Sequence, residues 1–238
     1  MKVISLIPAR LGSTRLAQKL IQDLGGKSVI QRTYQSTVAT GLFDEVWVVT
    51  DSDLIESQIK ELGGKVYRSK KEHQSGSDRI AEAAEEIKAD IIVNVQGDEP
   101  LQDRKTLADL IKVFGSSEVQ MASLKCRISE EEANNPNVVK VLTNSEGDAL
   151  YFSRSKIPFD RDGKLQVQYW KHIGVYAFRR DTLLRFAHSP KSDLEQIESL
   201  EQLRAFDLGI KIKMVETEFQ PIAIDTEQDL EKARNSFS

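Results

Sequence analysis

Two acids, in the stretch Gln96-Gly97-Asp98-Glu99, directly follow an apolar run and could bind a metal ion. Mg²⁺ takes one or two protein carboxylates and leaves its other positions to water and substrate phosphates, so Asp98 and Glu99 on a tight turn suit this cation. A turn with solvated acids at the end of a strand is an equally good interpretation of these residues alone. The stretch by itself predicts either a metal site or a solvated turn.

The element that must position this turn is the unalternating Ile/Val run at residues 91–95. Such a run predicts a strand buried on both faces, as in a parallel sheet, and these sheets bind ligands at the carboxyl ends of their strands. We therefore expect Gln96, Asp98 and Glu99 at the mouth of a site.

A second candidate is the basic loop that follows the apolar strand predicted at residues 3–7. Its Gly12-Ser13-Thr14 turn would let main-chain N–H groups approach an anion, and Arg10, Arg15 and Lys19 could neutralise a polyphosphate. The loop matches neither the dinucleotide fingerprint nor the P-loop, which argues against a nicotinamide dehydrogenase and a P-loop NTPase. A solvated basic loop is the less favoured alternative.

A third loop, residues 73–79, precedes a predicted helix at residues 80–87. Ser75 could cap that helix without any ligand. The loop also contains His73 and Arg79, and such side chains can hydrogen-bond the edge of a nucleobase. Both interpretations stay open at this point.

The composition bounds the class of protein. The 238 residues carry 33 basic and 37 acidic side chains and one cysteine, so we expect no nucleic-acid partner and no internal disulfide. An apolar stretch long enough to cross a membrane is missing, and we expect a cytoplasmic protein with no membrane insertion. The length fits one domain over residues 1–238.

Strands and helices alternate in the first half of the chain, which predicts right-handed βαβ units and a largely parallel α/β sheet. Residues 138–143 and 149–154 break the alternation and resemble a hairpin. We interpret residues 138–178 as an antiparallel elaboration that forms a lid or a dimer surface. Apolar spacing over residues 193–206 predicts one long amphipathic helix.

The second half of the chain contains a cluster of basic and aromatic residues, among them Arg154, Arg161 and His172. Such a cluster could bind an acidic, hydroxylated small molecule. A late aspartate, Asp225, precedes the final predicted helix, and it or Thr226 could cap that helix. No nucleophile with a partnered histidine is evident, which leaves covalent catalysis without a candidate. Phosphoryl or nucleotidyl transfer needs positioning, cations and a metal, and these parts are present.

Several motifs in order along the chain carry a more specific resemblance. They are Ile7-Pro8-Ala9-Arg10, Ser13-Thr14-Arg15-Leu16 with Lys19, His73-Gln74-Ser75-Gly76 with Arg79, Val93-Asn94-Val95-Gln96-Gly97-Asp98-Glu99-Pro100, Ala149-Leu150-Tyr151-Phe152-Ser153-Arg154, Lys171-His172-Ile173-Gly174-Val175-Tyr176, Leu200-Glu201-Gln202-Leu203-Arg204 and Asp225-Thr226. Over nearly its whole length the chain resembles the CMP-Kdo synthetases, the 3-deoxy-manno-octulosonate (Kdo) cytidylyltransferases of Gram-negative bacteria.

The resemblance implies a Rossmann-like, GT-A-like nucleotidyltransferase fold, a homodimer, and formation of CMP-Kdo and pyrophosphate from CTP and Kdo for lipopolysaccharide. By this analogy the CTP phosphates contact Arg10, Arg15 and Lys19, and Mg²⁺ binds Asp98 and Asp225. The further substrate-binding positions that it implies are Ser13, Ser75, Arg79 and Gln96 for the nucleotide or nearby sugar, and Arg154, Arg161, His172, Tyr176 and Glu201 for the Kdo acid.

Two departures from the family pattern concern loops. The family usually has Leu-Pro-Gly-Lys-Pro where this chain has Leu16-Ala17-Gln18-Lys19-Leu20, and a glycine-containing turn where it has Phe219-Gln220-Pro221-Ile222-Ala223. Loss of glycine and proline alters loop flexibility and backbone approach. These departures keep open the activation of a related 2-keto sugar acid such as 8-amino-Kdo. A catalytically silent nucleotide-sugar sensor built on the same fold is a further, less favoured alternative.

Overall fold

The computed structural model describes residues 1–12, 16–73 and 75–237. In these ranges the strands are β1 (Val3–Ala9), β2 (Glu45–Thr50), β3 (Lys65–Arg68), β4 (Ile91–Asn94), β5 (Met121–Ile128), β6 (Lys140–Thr143), β7 (Ala149–Ser153), β8 (Tyr169–Arg179) and β9 (Ile212–Glu216). The helices are α1 (Val29–Ala39), α2 (Asp53–Glu61), α3 (Gly76–Glu86), α4 (Arg104–Lys112), α5 (Glu130–Ala133), α6 (Arg180–Ala187), α7 (Asp193–Glu198), α8 (Arg204–Asp207) and α9 (Glu227–Arg234).

The strands form one sheet with the main order β3-β2-β1-β4-β8-β5-β9. β1 pairs in parallel with both β2 and β4, and β5 pairs in parallel with β9. β8 is antiparallel to β4 and β5, so within the described chain it runs against the other strands of this order. The mostly parallel α/β class predicted from the sequence is confirmed.

Helices cover both faces of the sheet because successive strand residues point to opposite sides. Val3 and Ile7 pack on one face with Ile30 of α1, while Ile4 and Leu6 pack on the other face with Ile80 of α3. The unalternating apolar runs of β1 and β4 thus reflect burial on both faces.

The predicted hairpin is present as β6 and β7, and it joins the sheet through the pairing of Lys140 with Lys171. The predicted single helix over residues 193–206 is wrong. Ser199 has φ 52°, a left-handed conformation that ends α7, and α8 begins only at Arg204. Ile197, predicted on the apolar stripe, is 78% exposed. Helix α6, which follows β8 without a loop, was not predicted.

Candidate active site

A pocket of about 260 Å³ opens at the carboxyl ends of β1 and β4, the edge of the sheet that the sequence predicts for ligand binding. Its lining comes from the loop after β1, the N-terminus of α3, the turn after β4 and the segment before α9. The lining residues are Pro8, Ala9, Arg10, Gly12, Lys19, Leu20, His73, Ser75, Gly76, Arg79, Gln96, Gly97, Asp98 and Asp225.

Lys19 joins the two aspartates that the sequence singles out. Its ammonium donates hydrogen bonds to Asp98 and, at 3.0 Å, to Asp225. The three side chains are 17%, 22% and 33% exposed, so the cluster is only partly screened by water. Burial acts to lower the pKa of Lys19, but the two carboxylates outweigh it and the pKa lies above its ordinary value. The lysine is therefore a permanent cation between two acids.

The position of Asp225 depends on the main chain beside it. The N–H of Ile224 donates to the carbonyl of Asp98 at 3.0 Å, and the Ile224 side chain is fully buried. Thr226 caps α9 by accepting from the N–H of Asp229. Of the two predicted capping residues, Thr226 takes that role and Asp225 faces the pocket.

The turn after β4 is held tightly against β1. A Cβ on Gly97 would lie 2.8 Å from the carbonyl oxygen of Pro8, so glycine is required by space there. The carbonyl of Gly97 accepts from the Thr33 hydroxyl at 2.8 Å, and the Gln96 amide donates to the carbonyl of Gly174 at 3.1 Å. Glycine and these bonds fix Gln96 and Asp98 at the pocket floor.

The opposite wall begins with α3. Ser75 caps this helix by accepting from the N–H of Asp78 at 3.1 Å, as the sequence predicts, and it also lines the pocket. Arg79 is 4% exposed and donates to Asp51 at 2.9 Å and to Ser69 at 3.2 Å. Burial acts to raise the pKa of Asp51, but Arg79 outweighs it and the pKa lies below its ordinary value. Arg79 is thus paired in place as part of the wall.

Glu99 takes a different environment from its neighbour. It is 6% exposed and borders a small apolar cavity with Gln102 and Thr106. Its Oε2 has no hydrogen-bond partner among the described residues, and burial together with the nearby Asp98 charge raises its pKa to about 8. The sequence does not distinguish the two acids of the turn, but the fold places Asp98 in the pocket and Glu99 beside the small apolar cavity.

Three of the predicted sugar-acid residues form a buried network outside the pocket lining. Glu201 accepts from the Ser77 hydroxyl at 2.7 Å, and Ser77 lies directly after the pocket residue Gly76 on α3. Gln202 links the other two, since it accepts from the Tyr176 hydroxyl at 3.1 Å and its amide lies 3.4 Å from Nδ1 of His172. Glu201 and Gln202 are neighbours in the chain, so these two sets of bonds link the α3 wall with β8 through the main chain.

Burial dominates the protonation of this network. It raises the pKa of Glu201, with the Ser77 hydroxyl offsetting part of the effect, and it raises the pKa of Tyr176. Burial and the Lys171 charge lower the pKa of His172 to about 3. His172 is therefore a neutral imidazole at physiological pH, with hydrogen bonds but no charge to offer.

The two remaining arginines of the predicted sugar-acid group lie elsewhere in the described structure. Arg154 donates to the main-chain carbonyls of Glu198, Pro136 and Ser199, which ties the hairpin to α7. Arg161 is exposed. Neither lines the pocket as the structure describes it, and their roles stay predictions.

Arg15 and Ser13, predicted to bind the nucleotide, lie outside the described residues. Two further participants were not identified as site residues from the sequence. Asp51 holds Arg79, and its place at the end of a buried strand was the available signal. Gln202 bridges His172 and Tyr176, and nothing in its local sequence indicates that role.

Known proteins resemble this chain over nearly its whole length. The profile of the family described as cytidylyltransferase matches residues 4–212. The 3-deoxy-manno-octulosonate cytidylyltransferase of Christiangramia forsetii is 51% identical over 241 residues, covering 100% of this chain and 97% of that protein. That of Flavobacterium johnsoniae is 53% identical over 238 residues and covers 98% of each. The chain belongs to the 3-deoxy-manno-octulosonate cytidylyltransferase family.

A solved member of this family supports the fold as well. The structure of CMP:2-keto-3-deoxy-manno-octonic acid synthetase complexed with CTP superposes with a TM-score of 0.94 at 40% identity, covering 99% of this chain and 98% of that one. The resemblance and the fold inferred from the sequence are confirmed. The described residues contain no helix long and apolar enough to cross a membrane.

The donor set of the pocket fits the cation implied for this family. Asp98 and Asp225 lie close enough to share one ammonium, that of Lys19. Among residues 1–12, 16–73 and 75–237 no group of three or more histidine, cysteine or acidic side chains is placed to hold a metal. Two carboxylates without nitrogen or sulfur donors suit Mg²⁺, which completes its shell with water and phosphate oxygens.

Proposed function

We propose that the chain transfers CMP from CTP to Kdo and releases pyrophosphate. The observation that carries this proposal is the cluster of Lys19, Asp98 and Asp225 in the pocket at the strand ends. Family membership supports the choice of nucleotide and sugar acid, because relatives with this name match the chain along its whole length. The structural neighbour was solved with CTP.

The reaction is an in-line displacement at the α-phosphorus of CTP. The anomeric hydroxyl oxygen of Kdo forms the new bond to phosphorus and loses its proton, while the bond from phosphorus to the bridging oxygen breaks and pyrophosphate leaves. Such transfers depend on positioning and on charge stabilisation more than on covalent catalysis by the protein. The pocket supplies both through fixed charged side chains.

Each charged side chain takes a part in this reaction. Arg10 and Lys19 neutralise the triphosphate, with Arg15 as a further predicted contact. Asp98 and Asp225 would hold Mg²⁺, which would supply positive charge to offset that of the triphosphate. Lys19 keeps the two carboxylates in register, since it contacts both.

The sugar acid would bind on the side of the buried network. Gln96 lies at the pocket floor, and Glu201 stands behind the α3 wall through Ser77. His172 and Tyr176 act through hydrogen bonds, because His172 is neutral and Tyr176 is buried. The resemblance also assigns Arg154 and Arg161 to positions near the Kdo acid, and neither lines the pocket of the described residues.

The wider setting is also proposed from the family. We infer a cytoplasmic homodimer that serves lipopolysaccharide synthesis. Exposed apolar side chains support a dimer surface on the elaboration at residues 138–178. These are Leu150, Phe159 and Leu165, which are 58%, 85% and 77% exposed. Light scattering on the purified protein measures the state directly, and a monomer at micromolar concentration would contradict this part of the proposal.

A coupled pyrophosphate assay tests the function. The protein is incubated with Mg²⁺, one nucleotide triphosphate and one acid, with CTP, UTP and ATP compared against Kdo, 8-amino-Kdo and N-acetylneuraminate. We expect pyrophosphate release with CTP and Kdo, and EDTA should abolish it. Absence of any Kdo-dependent release would overturn the proposal. A higher kcat/KM for 8-amino-Kdo would change the sugar acid and keep the chemistry.

A further inference from the structure

His73 and Glu82 form a buried pair beside the pocket. Nε2 of His73 lies 2.6 Å from Oε2 of Glu82, and their side chains are 5% and 6% exposed. The other carboxylate oxygen of Glu82 accepts from the main-chain N–H of Lys70 at 2.9 Å. One carboxylate on α3 therefore holds the segment from residue 70 to residue 73 at two points.

His73 lines the pocket although its ring is buried against Glu82. The residue as a whole is only partly buried, whereas its ring is 5% exposed, so the main chain of His73 is the part that meets the pocket. The pocket wall continues through Ser75 and Gly76, and a Cβ on Gly76 would lie 3.2 Å from Pro8. The ring and Glu82 thus support a wall made largely of main chain.

This wall is the part of the pocket suited to a base. If the proposed function holds, the triphosphate pairs with Arg10 and Lys19 and with the metal at Asp98 and Asp225. The base is then left to the rest of the lining, which includes the main chain of residues 73, 75 and 76 together with Arg79 and Gln96. Cytosine presents an amino donor where uracil presents a carbonyl acceptor, so groups held in fixed positions distinguish the two.

We propose that His73 and Glu82 are positioning residues that fix this wall and thereby set the preference for CTP over UTP. This inference rests on the proposed function for the place of the base. Neither residue touches the reacting atoms. Their contribution is to hold main-chain hydrogen-bonding groups rigidly, because a wall free to shift would accept either pyrimidine.

The electrostatics of the pair agree with this geometry. Burial acts to raise the pKa of Glu82, but the bonds from the His73 ring and the Lys70 N–H outweigh it and the pKa lies below its ordinary value. Glu82 is therefore a carboxylate, and its contact places a proton on Nε2 of His73. Charge-assisted bonds of this kind are stronger than neutral ones, which suits a clamp.

Calorimetric binding of CTP and UTP, each with Mg²⁺ and without a sugar acid, tests the pair in the full-length protein. The variants are His73→Phe, His73→Gln and Glu82→Gln. Phenylalanine cannot donate, and we expect it to weaken CTP binding by about tenfold and to lower the CTP:UTP ratio of affinities by a similar factor. Glutamine at position 73 keeps an N–H donor and should restore much of the preference. Glu82→Gln keeps an acceptor oxygen without charge and should give an intermediate loss.

Glu86→Gln is the matched control. Glu86 lies one turn further along α3 and accepts from Tyr67 of β3 and from Lys70, whereas Glu82 is the residue bonded to His73. We expect the affinities of this variant for both nucleotides to stay within about twofold of the parent, since the Glu86 side chain is 52% exposed. A role confined to stability would lower the melting temperature of the pair variants and leave the CTP:UTP ratio unchanged.

The outcomes separate this inference from the proposed function. Unchanged nucleotide preference in folded His73→Phe and Glu82→Gln, or a parent that binds both pyrimidines equally, overturns the inference. If His73→Phe does not fold, Glu82→Gln decides. A parent that prefers CTP but shows no turnover with Kdo overturns the proposed function, while the binding comparison still tests the pair.

Discussion

The main-chain N–H of Ile224 donates to the main-chain carbonyl of Asp98 at 3.0 Å. This bond joins the turn after β4 to the segment before α9 and brings Asp225 to the side of Asp98. Two acids that are far apart in the sequence thereby contact one lysine, Lys19. The proposed metal site therefore depends on a backbone contact as well as on its side chains.

Asp98→Asn is expected to abolish most turnover while leaving the protein folded. The amide keeps the shape of the carboxylate but loses the charge that a hard cation requires, so we expect kcat to fall by at least about 100-fold. Electron paramagnetic resonance of bound Mn²⁺ provides a second readout and should show weaker binding in the presence of CTP. Asp109→Asn, which removes an exposed partner of Lys105, is the control. Near-normal turnover in Asp98→Asn would disprove the metal role.

Gln18→Gly is expected to stabilise the protein modestly. Gln18 has φ 52° in the loop before Lys19, at a position where the family usually has glycine. Relief of this left-handed conformation outweighs the added freedom of the unfolded chain, and the net gain should be about 0.5–1 kcal/mol. Urea unfolding measures it. Gln22→Gly, at φ −62°, should destabilise instead, and a loss of stability in both variants would refute the argument.

Glu201→Gln tests the side of the site assigned to the sugar acid. The buried carboxyl accepts from Ser77, one residue beyond the pocket wall. We expect the KM for Kdo to rise by about tenfold and the KM for CTP to stay within about twofold, because the resemblance assigns this residue to the sugar acid alone. Steady-state kinetics with each substrate varied separately give both constants. A rise confined to the KM for CTP would place Glu201 on the nucleotide side.

His172 is expected to make the protein acid-sensitive. The pKa of His172 is about 3 in the folded protein against 6.5 ordinarily. Between these two pH values the imidazole is protonated in the unfolded chain and neutral in the folded protein. The stability is fully present above pH 6.5 and is lost as the pH falls towards 3, by about 1.4 kcal/mol per pH unit from this group.

Unfolding of parent and His172→Asn across this range measures the effect. The stability difference between them should shrink as the pH falls. His188→Asn, at a histidine whose side chain is 61% exposed, is the matched control. A constant difference for His172→Asn would show that the folded imidazole takes up the proton.

The sequence predicted the framework of the site because its signals are local. Unalternating apolar runs identified β1 and β4, and the polar residues directly after them had to lie at the sheet edge. The resemblance paired Asp225 with Asp98, a link that no local pattern provides. The hydrogen bond from Ile224 that joins them is made by the main chain, so the residue types in the sequence do not indicate it.

Other features depend on tertiary contacts and could not be predicted. Apolar spacing over residues 193–206 indicated one helix, yet Glu198 accepts from the Ser153 hydroxyl and the Arg154 N–H, and the chain turns at Ser199. Helix α6 begins after Arg179, whose side chain makes no capping hydrogen bond, so the usual sequence signal for a helix start is missing there. Arg154 was assigned to the sugar acid by analogy, and its bonds to carbonyl groups in this structure are not foreseeable from its position in the sequence.

The most direct test of the central claim is ³¹P NMR of a reaction containing the protein, Mg²⁺, CTP and Kdo. We expect the CTP signals to be replaced by equal amounts of CMP-Kdo and pyrophosphate, with no conversion when Kdo is omitted or when Asp98→Asn replaces the parent. CTP that remains intact with the parent protein, or hydrolysis to CMP without a Kdo conjugate, would contradict the account.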